Sequence, residues 1–223
     1  NTLGVQAVHP VPLDILEGQI NAVLSDIGAD AIKIGMLHSA EVVNLVADMI
    51  GKYEIRNVVL DPVMVSTSRH RLIEEDAVEV IIRRLMPLAR VITPNIPEAE
   101  ILAGCSISGE DVFDEIARKL SGNTGVSVLL KAGHLSGDSL VDYFYNAEDG
   151  TMTKLPSKRV HTRNTHGTGC TLSSAFAAAL AKGEDLTAAA VSAKKYIEQA
   201  IISGADYEIG GGHGPVNHFW SMG

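Results

Sequence analysis

Cysteine is scarce: Cys105 and Cys170 are the whole complement of a 223-residue chain. Two thiols cannot build a disulfide framework, and no Cys/His cluster has zinc-site spacing, so a reduced, cytoplasmic setting is expected. Excess positive charge is missing too. The net charge is -9, which argues against nucleic acid or an anionic membrane surface as a partner. No apolar run approaches the ~20 residues needed to cross a bilayer, and no signal-peptide pattern is visible in the opening residues. Neither internal repeats nor a flexible interdomain linker stand out. No Gly-x-Gly-x-x-Gly follows an early strand, which counts against a dinucleotide oxidoreductase.

What is present is a regular alternation, in a length that suits a single α/β domain with a sizeable core. Leu13, Leu16, Ile20, Val23 and Leu24 recur at helical spacing, and Gly28 is a stop. An apolar strand is expected over 30–36, a helix over 40–53 and a buried strand over 57–64 ending in Asp61-Pro62. A helix over 74–88 opens with Glu74, Glu75 and Asp76 in its dipole-favoured first turn. There follow a strand over 90–93, helices over 97–103 and 109–120, and a strand over 127–131. The rhythm then changes to a β-hairpin, 139–146 and 151–155, turning at Glu148-Asp149-Gly150. A helix beginning near Thr168, a long helix capped by Asp185 or Thr187 and reaching about 203, and an irregular tail over 210–220 complete the chain. Such alternation implies right-handed crossovers and a mostly parallel sheet covered on both faces. Ligands of such sheets bind beyond the carboxyl ends of the strands, where Met36, Asp61, Asn95 and Lys131 fall.

The most informative stretch runs from Thr162 to Phe176. Gly167 and Gly169 bracket Thr168, so the backbone can reach positive φ and approach a ligand closely. Thr165 and His166 lead into that turn, and Cys170 sits in the first turn of the helix. Unpaired N–H groups and a positive dipole at such a helix start suit an anion, most naturally a phosphoryl group, and favour a thiolate. Cys170 is then a base or nucleophile, or else a small buried filler. Asn95 and Glu98 read equally well as a helix cap or as catalytic groups, Asp61 as a turn residue, Lys131 as a strand-end charge, and Met36 as core. Ser66, Thr67, Ser68, Arg69 and His70 form either a flap or a surface connection. The histidines, His134 and His218 among them, have no metal spacing.

The hexapeptide His166-Gly-Thr-Gly-Cys-Thr171 resembles the anion-hole motif of the ribokinase-like kinases, in the form seen in the hydroxymethylpyrimidine and phosphomethylpyrimidine kinases. Most relatives, the classical pyridoxal kinases included, have Asp where this chain has Cys170. Asn95-x-x-Glu98, Asp61-Pro-Val-Met64, Lys131-x-Gly-His134 and Gly212-His-Gly-Pro-Val-Asn-His-Phe219 strengthen the resemblance, which spans nearly all of residues 1–220. It implies a three-layer αβα sandwich in one kinase domain over 1–223, whose opening strand and substrate loop are expected to be absent, since the family carries them upstream of the segment matching Asn1.

The resemblance further implies an ATP- and Mg2+-dependent phosphorylation of 4-amino-5-hydroxymethyl-2-methylpyrimidine and of its monophosphate, in thiamine diphosphate biosynthesis. Cys170, Gly167, Thr168 and Gly169 would be catalytic, and Met36 would touch the pyrimidine. Lys131, Asn95 and Thr165 would meet the nucleotide phosphates, with Glu98 and Asp61 organising the metal. A homodimer is expected. The rival readings are a pyridoxal kinase on the same scaffold and a non-catalytic pyrimidine-sensing module.

Overall fold

The computed structural model describes residues 1–64, 73–122, 124–132 and 139–222. Six strands form one sheet in the order β1-β2-β3-β4-β5-β6: β1 (Ile32–Ile34), β2 (Val58–Leu60), β3 (Val91–Ile92), β4 (Ser127–Leu130), β5 (Ser139–Asn146) and β6 (Thr151–Lys158). The first four pair in parallel and the last two antiparallel, so the expected mostly parallel sheet holds for three of its five pairings. Consecutive parallel strands joined by right-handed crossovers must send every connecting helix to one face. That face carries α2 (Ala40–Lys52), α3 (Glu75–Val80), α4 (Ile96–Ala103) and α5 (Phe113–Ser121), while α6 (Thr168–Ala181) and α7 (Leu186–Gly204) cover the other.

Strand side chains alternate between the two layers accordingly. Val58 and Leu60 of β2, with Val128 and Leu130 of β4, join the core under α2 to α5; Val59, Val91 and Leu129 join the one under α6 and α7. Every residue of β2 and β4 is buried, as strands covered on both faces require. This is the three-layer αβα sandwich. The last strand, β6, runs three residues past the expected Leu155 and takes in Pro156, which an edge strand tolerates because its N–H is not needed for the ladder.

Two helices depart from the simple pattern. The helix expected over 74–88 is α-helical only through Val80; a wider π turn over Ile81–Leu85 buries both of those residues, and a 3-10 turn over Met86–Leu88 closes it at Pro87. The helix α1 (Leu13–Leu24) forms where periodicity placed it, and Gly28 ends that stretch at φ 76°, yet it has no fully buried residue. No helix among the described residues is long and apolar enough to cross a membrane.

Candidate active site

The carboxyl ends of β2, β3 and β4 meet the start of α6. Asp61, one residue past β2, is 1% exposed. Its Oδ1 accepts from Thr93 Oγ1 at 3.1 Å and from Lys131 Nζ at 3.0 Å, and its Oδ2 accepts from Ser173 Oγ of α6 at 3.1 Å. Lys33 Nζ, from β1, stands 3.7 Å from the same Oδ2. Burial alone would raise the Asp61 carboxyl, but the Lys131 charge and hydrogen bond, the Lys33 charge and the Ser173 hydroxyl outweigh it and hold the group below its usual range. The expectation that Asp61 organises a metal meets this geometry: both oxygens are already engaged by protein donors, and the carboxylate fixes Lys131.

Asn95 and Glu98 occupy the start of α4 as a capping box. Asn95 Oδ1 accepts from the Glu98 amide and Glu98 Oε2 from the Asn95 amide, each at 2.9 Å. Both open readings of this pair therefore meet in one place, because the cap also holds a buried carboxylate beside Lys131. Burial raises the Glu98 carboxyl and the Asp61 charge adds to that; Lys131 and the backbone amides of Asn95 and Met64 only partly offset it. Lys131 is drawn next to Asn95 by an isolated parallel bridge beyond the strands.

Gly167 caps α6 at φ 81°, a left-handed conformation that only glycine adopts without strain. Among the described residues the amides of Gly169 and Cys170 donate to no protein acceptor, while Thr168 N reaches Thr165 O at 3.4 Å and Thr171 N bonds Gly167 O at 2.8 Å. A Cβ at Gly169 would sit 3.3 Å from Lys131 Nζ, so this glycine lets the helix start close over the lysine. Cys170 is a free, exposed cysteine in the first turn. Met36 lies just past β1 and is 40% exposed. Of the expected groups, Asp61, Asn95, Glu98, Lys131 and Gly169 come together at one end of the sheet, and Thr165 forms the turn into the helix. His134 and the 66–70 stretch lie outside the described residues.

Further contributors, Thr93 beside Asp61 among them, were not singled out from sequence. Lys33 and Ser173 complete the Asp61 cluster; a lysine inside an apolar strand and a serine on the buried side of an Ala-rich helix were the available signals. Asn164, 1% exposed, donates through Nδ2 to the carbonyls of Gly204, Ala205 and Tyr207, tying the loop before α6 to the end of α7. His218, set aside for lack of metal spacing, bonds Thr171 Oγ1 at 3.0 Å, and the backbone of His166 pairs with the tail at Gly214. A groove of about 550 Å³ also opens at Cys170 and follows Ser174 and Ala178 along α6 toward Tyr196; none of Asp61, Lys131, Lys33 and Glu98 lines it.

A profile of the phosphomethylpyrimidine kinase family matches residues 1–217. The chain belongs to the phosphomethylpyrimidine kinase family. It is 46% identical to the hydroxymethylpyrimidine/phosphomethylpyrimidine kinase of Rhizobium meliloti over 98% of this chain and 82% of that protein. To a thiamine biosynthesis bifunctional protein of Geobacter sulfurreducens it is 45% identical, over 98% of this chain and 44% of the longer partner. Among solved structures, an ADP complex of Bacillus subtilis pyridoxal kinase superposes with a TM-score of 0.87 at 34% identity, covering 97% of this chain and 80% of that one. The Clostridium difficile phosphomethylpyrimidine kinase gives 0.78 at 38%, over 90% and 81%. Membership in this kinase family agrees with the ribokinase-like sandwich.

Proposed function

We propose that this kinase transfers the γ-phosphoryl group of ATP first to the hydroxymethyl oxygen of 4-amino-5-hydroxymethyl-2-methylpyrimidine and then to the resulting monophosphate, in thiamine diphosphate biosynthesis. The observation that carries this reading is the pair of amides at Gly169 and Cys170 with no acceptor among the described residues, at a helix start where Gly169 closes on Lys131, itself fixed by buried Asp61. Gly167, Thr168, Gly169 and Cys170 hold the charge that develops on the moving phosphoryl group, and Lys131, with Asn95 and Thr165 beside it, meets the polyphosphate. Removing one such donor costs about 2.7–4 kcal/mol in comparable sites. Cys170 Sγ takes the hydroxyl proton as the new O–P bond forms and the bond to ADP breaks. Met36 contributes a pliant thioether wall for a flat heteroaromatic ring.

Mg2+ fits the donor set. Among the described residues no three His, Cys, Asp or Glu side chains gather into a metal cage, and a hard cation that keeps its waters needs few carboxylates. With Asp61 committed to Lys131, Glu98 and Asn95 are the residues that would hold the ion and its waters, and it would neutralise the polyphosphate. The whole of 1–223 acts as one domain, as a homodimer in the cytoplasm, with neither nucleic acid nor membrane as partner.

A coupled ADP-release assay with the pyrimidine and pyridoxal side by side tests the assignment. Faster turnover on the pyrimidine is expected; faster turnover on pyridoxal would favour the pyridoxal kinase reading that the Bacillus subtilis likeness supports. Pyrimidine binding without ADP release would mark a non-catalytic module. Cys170→Ala is expected to lower turnover on the hydroxymethyl substrate about 100-fold, the lower range for general acid–base groups, with little change in the KM for ATP. Unchanged turnover removes Cys170 from the mechanism.

A further inference from the structure

Among the described residues, Lys33 is a charged side chain of the Asp61 cluster that the proposed mechanism leaves unused. It belongs to β1, and its Nζ reaches along the strand until it lies where a Cβ on Gly35 would come within 2.8 Å. Asp61 does not need it as a hydrogen-bond donor: Thr93, Lys131 and Ser173 supply three donors at 3.0–3.1 Å, whereas Lys33 stands at 3.7 Å. Among the described residues its ammonium makes no hydrogen bond, although the side chain is only 19% exposed. A cation this enclosed with no hydrogen-bond acceptor has donors that a ligand would satisfy. Lys33, from β1, and Lys131, from beyond β4, approach Asp61 from opposite sides of β2; with Met36 just past β1 as the proposed pyrimidine wall, the acceptor would lie on the Lys33 side and the nucleotide on the Lys131 side.

The two phosphorylations make different demands there. In the first, the acceptor is a neutral hydroxyl that must lose a proton. In the second, a phosphate oxygen of the monophosphate forms the new bond to the γ-phosphorus as the bond to ADP breaks. A phosphate monoester dianion has no proton to give up, but it brings nearly two negative charges beside the triphosphate. The first step therefore needs a proton acceptor and the second needs a cation. Resting on the proposed two-step activity, we infer that Lys33 binds the phosphate of the monophosphate acceptor and serves the second phosphorylation selectively, with Gly35 keeping that ammonium uncovered.

The test measures kcat/KM for both acceptors at saturating ATP in the wild type and in Lys33→Met, together with equilibrium binding of the monophosphate without nucleotide. Lys33→Met is expected to lower kcat/KM for the monophosphate about 10- to 100-fold, the usual effect of losing a charged hydrogen bond. The loss should arise mainly in KM, with a matching loss of binding and a far smaller change for the alcohol. Gly35→Ala, which keeps the charge and sets a methyl group over it, is expected to shift the same ratio in the same direction and serves if Lys33→Met does not fold. Cys170→Ala should shift the ratio the opposite way. Equal losses on both acceptors, or unaltered monophosphate binding in both variants, would overturn the role of Lys33. Absence of either phosphorylation in the wild type would instead remove the two-step reading beneath it.

Discussion

Asp61 and Glu98 are both buried carboxylates within the field of Lys131, and their surroundings push them in opposite directions. Asp61 is held below its usual range by Lys131, Lys33 and Ser173 against the effect of burial. It therefore adds stability above its unfolded pKa of 3.8, and that contribution is lost as pH falls through the folded value. Glu98 is raised by burial, so its contribution is present below 4.5 and lost as pH rises through the folded value. Glu98→Gln keeps an acceptor for the Asn95 amide and removes the buried charge. It is expected to raise stability at pH 7 by about 0.5–2 kcal/mol, with the gain disappearing in denaturant titrations below pH 4.5, while turnover falls. No gain at pH 7 would mean that Glu98 stays well solvated. At this scale the sequence named most of the site, because Asp61, Asn95, Glu98, Lys131 and Cys170 are polar groups at the ends of apolar strands or on a glycine turn. It left their division of labour open: which donors saturate Asp61 depends on β1, β3, β4 and α6 meeting at one point.

Helix α7 and the tail give the clearest element-scale case. Asp185 caps the helix by accepting from the Ala188 amide at 2.8 Å, which decides between the two candidate caps. At its other end Gly204 lies against the tail: a Cβ there would be 2.7 Å from Asn217 N and 3.1 Å from Val216 C. Those are backbone atoms that cannot swing aside, and the Asn217 amide is itself held by Ala200 O at 2.9 Å. Gly204→Ala, which in an open helix would gain roughly 0.5–1 kcal/mol, is expected instead to cost about 1–3 kcal/mol, the range for overpacking. The midpoint of urea unfolding checks the sign; a raised midpoint would show that the tail is not clamped there. A sequence full of Gly and His offers no periodicity, so the tail reads as irregular, and only contacts with α6, α7 and the loop before α6 reveal it as part of the scaffold. Of the apolar spacing read in α1, Leu16, Ile20 and Leu24 are half-buried, while Leu13 and Val23 are 42% and 48% exposed. Periodicity establishes which face is apolar and is silent on what covers it.

On the scale of the whole molecule, Leu13, Ile15 and Val23 join Leu3, Val5, Val8, Val11 and Ile27 in an N-terminal region with many exposed apolar side chains. Apolar side chains gathered into one exposed patch mark an association site, and the proposed homodimer would use these residues. Sedimentation equilibrium is expected to give twice 23.7 kDa, with little dependence on salt, since apolar burial rather than ion pairing would hold it; a mass of 23.7 kDa would overturn the dimer. By itself the chain determined the order of strands and helices, the glycine turn at the start of α6, and the polar residues at the strand ends. Each of these is a local signal: hydrophobic period, φ freedom, or polar punctuation of an apolar run. Only tertiary structure decided that all four crossover helices lie on one face, that Lys33 and Ser173 converge on Asp61, and that the tail braces the loop before α6, because such pairings join residues up to 112 positions apart and leave no trace in any short window.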